Sequence, residues 1–189
     1  MAVKSANPAP LGLMGFGLTT ILLNLLNARL LGTDALGVIL SMGIFYGGLA
    51  QIIAGILEEK HGNTFGAVAF TSYGCFWLSF VALNVLPKMG LSQTASAISG
   101  SAYLAGWGVF TALMFIGTLR VNKALQFVFA SLAILFFILA IGDFTGVITF
   151  EIIGGYIGII CGSSSIYLAI AEILNEMYGK AILPIGSRI

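Results

Sequence analysis

The sequence predicts an all-α integral membrane protein, a single domain over residues 1–189 built as a bundle of six transmembrane helices. Hydrophobic residues make up 59% of the 189 residues, and charged residues make up only 8%. A soluble domain carries about 25% charged residues to cover its surface. The apolar residues also form continuous stretches separated by short charged or turn segments, as expected for chains that cross a bilayer repeatedly.

Each apolar stretch predicts one helix. The stretches cover residues 11–26, 36–57, 65–86, 103–119, 124–141 and 152–171. Each holds about 16 to 22 residues, and about 20 helical residues cross a hydrocarbon core of roughly 30 Å. Continuous rather than alternating runs favour helices over barrel strands, because a helix satisfies its own backbone in lipid. The connections between them, at residues 29–35, 58–64, 87–102, 120–123 and 142–151, are too short for a soluble domain.

The first helix has the clearest start. Asn7 is a favourable capping residue, and Pro8 and Pro10 suit the first helical turn, where a missing N–H costs nothing. Lys4 precedes an apolar run without a small-residue cleavage site, so we expect a retained first helix rather than a removed signal peptide. Free N–H groups at a helix start also attract anions, but capping is the simpler interpretation.

Basic residues predict the orientation of the helices in the inner membrane. With six spans, one side would hold Lys4, Lys60, Arg120, Lys123, Lys180 and Arg188, and the other Arg29 and Lys88. The excess on the first side favours cytoplasmic termini. Three spans in each half would also suit a 3+3 inverted repeat. A sequence similarity between the two halves supports the repeat: residues 15–17 are Gly-Phe-Gly and residues 106–108 are Gly-Trp-Gly. This similarity is short enough to arise by chance.

Several function classes are disfavoured by the residues present. A net charge of +1 gives no basic face for nucleic acid. The single histidine, His61, lies in a connection, so no base is available for the serines at residues 163–165 and no ligand set for a metal. We therefore expect no enzyme activity, no metal and no cofactor.

Polar residues at membrane depth are the candidates for substrate contact. They include Thr19, Thr20, Asn24, Gln51, Thr71 and Gln126, to which we add Asn7 at the start of the first helix. Buried polar groups in a membrane either bond to a neighbouring helix or line a wet path. Packing is the simpler interpretation for threonine, whereas the amides of Asn24 and Gln51 leave both open. Glu172 and Glu176 are interpreted as a solvated edge rather than a proton relay.

Glycines indicate close helix packing. Gly154, Gly158 and Gly162 recur along one face of the sixth helix, and Gly43 and Gly47 do so in the second. Small residues at this spacing let helix backbones approach each other in a membrane. Packing within the chain and contact between protomers are both consistent with this pattern.

Several motifs resemble the acetate uptake transporter family along nearly the whole chain. They are NPAPLGLMGFG at residues 7–17, MGIFYGG at 42–48, GNTFG at 62–66, FTSYG at 70–74, LQFVF at 125–129 and LPIG at 183–186. The stretches at residues 29–34 and 92–101 do not match in detail.

The resemblance implies a carrier or channel for acetate and succinate, whose transport is linked to protons. It further implies that six-helix protomers form a homohexamer and that each protomer has its own pathway. It also implies a hydrophobic constriction, which we place at Phe16, Tyr73 and Leu132. The alternative is a passive channel for small neutral solutes such as urea or ammonia, because it would also use a pathway without fixed charge.

Overall fold

Six helices span the part of the chain that the computed structural model describes, residues 6–186. They are α1 (Ala9–Asn27), α2 (Thr33–Lys60), α3 (Thr64–Val85), α4 (Ala97–Thr118), α5 (Lys123–Thr145) and α6 (Ile148–Tyr178). Each is long and apolar enough to cross a membrane, so the predicted all-α, six-span class is confirmed. Lys4 and Arg188 lie outside the described residues, and the cytoplasmic placement of the termini stays a prediction.

Some helix ends differ from the predicted ones where caps satisfy the backbone. α4 begins earlier than predicted because the Ser96 side chain accepts a hydrogen bond from the Ser99 N–H. Such a cap satisfies one of the free donors in the first helical turn. The predicted connection over residues 142–151 is much shorter in the structure. Gly146 ends α5 in the left-handed conformation, with φ 68°, and α6 follows almost immediately.

α2 is not a uniform α-helix. It opens with a 3-10 turn at Thr33–Ala35 and widens into a π-helix over Gly43–Ala50. Just after the widened segment, the Gln51 side chain donates a hydrogen bond from Nε2 to the Gly47 carbonyl oxygen at 2.7 Å. A Cβ on Gly47 would lie 2.8 Å from the Trp77 ring of α3. The glycine therefore lets α2 and α3 lie close together while its carbonyl holds the Gln51 amide.

The helices form a ring in chain order. α1 packs against α2 and α6, α2 against α3, and α5 against α4 and α6. Between α3 and α4 the contact is made largely by aromatic side chains. The Phe76 ring centroid lies 5.9 Å from that of Tyr103 and 5.2 Å from that of Trp107. Pairs of this kind contribute about 0.5–1.5 kcal/mol beyond their buried area, so aromatic rings close the bundle on this side.

The glycine strip of α6 packs within the chain. A Cβ added at Gly162 would lie 2.7 Å from the Gly17 carbonyl oxygen of α1. Gly158 lies directly against the Asn24 side chain of α1, and Gly154 faces α5. Small residues permit this close approach where no hydrophobic force acts between helices in lipid. The strip therefore serves contacts inside the protomer, which decides between its two interpretations.

We expect Gly158→Ala to destabilise the protein, because the added methyl group would overlap the Asn24 side chain. Overpacking of this kind costs about 1–3 kcal/mol. The midpoint of thermal unfolding in mild detergent, followed by circular dichroism, should fall.

Gly106→Ala is the matched control, since Gly106 lies in membrane-spanning α4 but has nothing within 4 Å of an added Cβ. Alanine there should leave the midpoint unchanged or raise it, because alanine favours helix over glycine by up to about 1 kcal/mol. If the unfolding midpoint fell equally in Gly158→Ala and Gly106→Ala, close α1–α6 packing would not be the cause of the fall.

Candidate functional site

Two cavities enter the bundle from its opposite ends. The first has a volume of about 140 Å³ and lies beside the start of α1, where Ala9 and Leu13 form part of its wall. The second has a volume of about 260 Å³ and lies beside the end of α1, at Leu23 and Asn24. The two cavities together follow α1 through the bundle.

An apolar layer separates the cavities. Phe16 of α1 and Leu132 of α5 line both of them, and Tyr73 of α3 lines the first. These three side chains are buried, with 6%, 3% and 4% of their surface exposed. The ring centroids of Phe16 and Tyr73 lie 5.9 Å apart. The structure thus brings together the three residues expected at a constriction, and we call this layer the constriction. Its role in transport stays a prediction.

The Tyr73 hydroxyl is directed towards α4. It donates a hydrogen bond to Thr111 Oγ1 at 2.9 Å. Thr111 in turn donates to the Trp107 carbonyl oxygen at 2.7 Å. Thr111 is fully buried. This two-step chain fixes the orientation of a ring that forms part of the constriction.

Polar side chains surround the first cavity outside the constriction. Gln51 lines it, and only 1% of its surface is exposed. Gln51 Oε1 has no hydrogen-bond partner among the described residues. Glu172 also lines this cavity and accepts a hydrogen bond from Asn7 Nδ2 at 2.9 Å. Asn7 is not the predicted cap of α1, because Pro8 occupies the N-cap position and no side chain caps the helix there; Asn7 lies one residue earlier, and its Oδ1 accepts from the Ala9 N–H at 3.1 Å. Glu172 is therefore part of a cavity wall rather than only a solvated edge.

Glu58 is a buried carboxyl group that the sequence reasoning missed. It is 2% exposed, and one oxygen accepts a hydrogen bond from Asn63 Nδ2 at 2.6 Å. Its other oxygen, Oε1, has no partner within residues 6–186. Asn63 lines the first cavity, so Glu58 lies directly behind the cavity wall. The sequence feature that could have indicated this contact is the tight turn at Gly62, because the turn brings Asn63 back over the end of α2.

The second cavity has neutral polar groups close to the constriction. Thr20 lines it, and its Oγ1 has no partner in the described part of the chain. Asn24 donates from Nδ2 to the Thr20 carbonyl oxygen at 2.9 Å. Its Oδ1 accepts from Asn27 Nδ2 at 3.2 Å. The predicted residues Thr20 and Asn24 thus line the second cavity, and their contact with a substrate stays a prediction.

Charged groups lie at the outer end of the second cavity. Glu151 and Asp143 line it. Arg29 donates to Glu151 Oε2 at 2.6 Å, and the two side chains are 48% and 36% exposed. An ion pair this exposed contributes about 0–1 kcal/mol to stability. The pair therefore adds little to the stability of the fold.

Three predicted substrate contacts lie elsewhere. Thr19 is fully buried where α1 meets α2, next to Gly47. Thr71 packs its hydroxyl against Gly55 of α2. Gln126 donates from Nε2 to the Thr118 carbonyl oxygen of α4 at 3.3 Å. None of the three lines either cavity among the described residues. The polar groups of Thr71 and Gln126 face neighbouring helices, as is common for polar side chains in lipid. Thr19 instead places its methyl group against α2, and its Oγ1 has no hydrogen-bond partner among the described residues.

The arrangement is that of a path with polar ends and an apolar middle. Over residues 6–186, no group of three His, Cys, Asp or Glu side chains is placed to hold a metal ion. Cavities of 140 and 260 Å³ have room for a small solute. The geometry therefore suits selective passage of a small solute.

Known proteins resemble this chain in sequence and structure. The succinate-acetate/proton symporter SatP of Escherichia coli (strain K12) is 58% identical over 183 residues, covering 97% of this chain and 96% of that protein. The solved structure of the bacterial acetate channel SatP matches with a TM-score of 0.94 and 58% identity, over 97% of this chain and all of that chain. Ammonia transport outward protein 2 of Saccharomyces cerevisiae is 41% identical over 179 residues, covering 92% of this chain and 63% of that protein.

The family comparison covers almost the whole chain. The sequence model of the GPR1/FUN34/yaaH family matches residues 1–184. This match and the likeness to SatP confirm the predicted resemblance. With the membrane-spanning helices, they also confirm a multi-pass protein of the bacterial inner membrane. The chain belongs to the GPR1/FUN34/yaaH family.

Proposed function

We propose that this protein carries small carboxylates, acetate and succinate among them, across the inner membrane through one pathway in each protomer. The proposal rests on one observation: the side chains of Phe16 and Leu132 line both cavities and so form a wall between them. The names of the relatives, a succinate-acetate/proton symporter and an acetate channel, support these substrates. We assign no enzymatic activity, and we keep the expectation of a homohexamer.

A proton accompanies the carboxylate in this proposal. Burying an isolated carboxylate in a dry apolar site costs tens of kcal/mol in idealised estimates. Protonating a carboxylate whose pKa is near 4.3 costs about 3.7 kcal/mol at pH 7, from roughly 2.7 pH units at 1.36 kcal/mol each. The three constriction residues offer an apolar layer, so the neutral acid has the lower barrier.

A channel for a neutral solute is the second candidate. The relative named as an ammonia transport protein favours it, and so do the uncharged polar groups of Thr20 and Gln51 on the two cavities. Competition separates the candidates. Excess urea or ammonia should leave labelled acetate uptake unchanged if carboxylates are the substrates, and should reduce it if the neutral solutes share the path.

Uptake of labelled acetate into liposomes that hold only this protein should rise as external pH falls from 7 to 5. Above the pKa of the acid, the neutral fraction rises roughly tenfold for each unit by which the pH falls. The rise must exceed that of liposomes without protein, which admit some acid directly. A protein-dependent flux that stays constant over this range would exclude proton-linked passage.

Widening the constriction should weaken size selection. Phe16→Ala, alone or with Leu132→Ala, removes bulk without adding charge, so the uptake ratio of butyrate to acetate should rise. We expect a change of about tenfold, the lower end of what an apolar pocket achieves per methylene.

Leu168→Ala is the matched control for this test. Leu168 is fully buried in α6 but lines neither cavity among the described residues. Its truncation costs stability of about 2–5 kcal/mol, as other core truncations do, and should leave the butyrate-to-acetate ratio unchanged. If the Phe16 and Leu132 variants also keep the wild-type ratio, the selecting layer lies elsewhere.

A further inference from the structure

We infer that Thr111 is a specificity-determining residue: by accepting the hydroxyl hydrogen of Tyr73, it leaves the constriction without a hydrogen-bond donor, so that the path favours a protonated acid over its carboxylate. This inference rests on the proposed function, in which the neutral acid passes, and adds to it the residue and the hydrogen-bond chain that select this form of the solute.

The direction of each hydrogen bond follows from its partners. The Trp107 carbonyl oxygen can only accept, so the single hydroxyl hydrogen of Thr111 is used at 2.7 Å on that oxygen. Thr111 Oγ1 can then only accept, and Tyr73 must donate to it at 2.9 Å. The hydroxyl hydrogen of Tyr73 is therefore committed to α4. Within the described residues, Thr111 lines neither cavity, although Leu104 of the same helix lines the second, so this hydrogen is also directed out of the path.

The other two members of the constriction have no polar atoms. Phe16 and Leu132 present only carbon and hydrogen to a passing solute, and both line the two cavities. A carboxylate accepts hydrogen bonds and cannot donate, whereas a carboxylic acid also carries an O–H donor. At the constriction the anion would lose its hydration without gaining a donor. A neutral acid loses much less, because an uncharged polar group is far cheaper to desolvate than an ion.

Gln51 supports the same selection in the first cavity. The Gln51 amide has one possible orientation. Its Nε2 donates to the Gly47 carbonyl oxygen, whereas Oε1 in that place would put two acceptors next to each other. Oε1 is therefore left as a buried acceptor without a partner. The O–H group of a carboxylic acid can satisfy this oxygen, whereas a carboxylate oxygen would repel it. Acceptor groups thus precede the constriction, and a solute that donates a hydrogen bond is favoured.

The charged groups near the path lie at its two ends. Glu172 of α6 lines the first cavity, with Glu58 of α2 behind its wall. Asp143 of α5 and Glu151 of α6 line the second, where Arg29 pairs with Glu151. These groups can add their own pH dependence to the flux. They are unchanged in variants of Thr111, so a change of pH response in those variants reports on the hydrogen-bond chain.

The first experiment uses the wild-type protein in liposomes with two probes of similar shape. Acetate is in equilibrium with its neutral acid, whereas methanesulfonate stays anionic between pH 5 and pH 7. We expect acetate uptake to rise as pH falls and methanesulfonate to be excluded at both values. Methanesulfonate uptake at the rate of acetate would overturn the inference while leaving carboxylate transport intact. No acetate uptake above empty liposomes would instead reject the proposed function itself.

The second experiment compares variants by the ratio of acetate uptake at pH 5.5 to that at pH 6.5. Thr111→Val keeps the shape of the side chain but removes the acceptor, which frees the Tyr73 hydroxyl hydrogen. We expect the ratio to fall about fivefold, the factor that one neutral hydrogen bond contributes, and methanesulfonate uptake to appear. A wild-type ratio in Thr111→Val would overturn the inference.

Two further variants separate this role from a structural one. Thr111→Ser retains the hydroxyl and should restore the wild-type ratio. Thr118→Val is the matched control, because Thr118 is also a fully buried threonine of α4 whose hydroxyl donates to a backbone oxygen, that of Phe115 at 2.6 Å. Thr118→Val should keep the wild-type ratio, and an equal fall in this variant would attribute the effect to general loosening of α4. If Thr111→Val does not fold, uptake of methanesulfonate by the wild type at the rate of acetate would still overturn the inference.

Discussion

The backbone contact between α1 and α6 determines where the path lies. Gly17 meets Gly162 of α6 closely enough that an added Cβ would lie 2.8 Å from the Gly162 carbonyl oxygen. On the other side of α1, Gly15 lies against the Tyr46 backbone of α2. Phe16 stands between these two glycines, so its large ring faces the interior while α1 is held on both flanks. The same close contact places Asn24, further along α1, beside the second cavity.

The number and class of the helices follow from the sequence, but the helix ends follow from particular capping contacts. Apolar runs locate the spans because lipid requires about 20 such residues. They do not locate Ser96, whose cap starts α4 early, or Gly146, whose left-handed conformation ends α5 late. Both lie in polar or glycine-containing stretches that resemble loops in the sequence. The π-helix of α2 was also not foreseen, because its glycines indicate close packing without indicating how the backbone turns.

The candidate site could be predicted only in part. Distinctive motifs identify Phe16 and Tyr73, and the structure places both in one layer with Leu132. Thr19 and Thr20 illustrate the limit, because neighbouring residues of one helix point in different directions and only Thr20 reaches a cavity. The burial of Glu58 could not be predicted, because its acidic and basic neighbours in the sequence resemble a solvated helix end. Hydrogen-bond direction, as in the chain from Tyr73 to Thr111, requires the relative positions of α3 and α4.

The layer of side chains that borders both cavities has an electrical consequence. The membrane potential normally falls across about 30 Å of hydrocarbon. When water fills cavities on both sides of a layer, most of the potential falls across that layer, and in this protein the layer would be the side chains of Phe16, Tyr73 and Leu132. Moving one elementary charge through this drop changes its energy by about 2.3 kcal/mol per 100 mV. A neutral acid experiences none of this work, whereas an anion entering a negatively polarised cell would meet nearly all of it at a single layer of side chains.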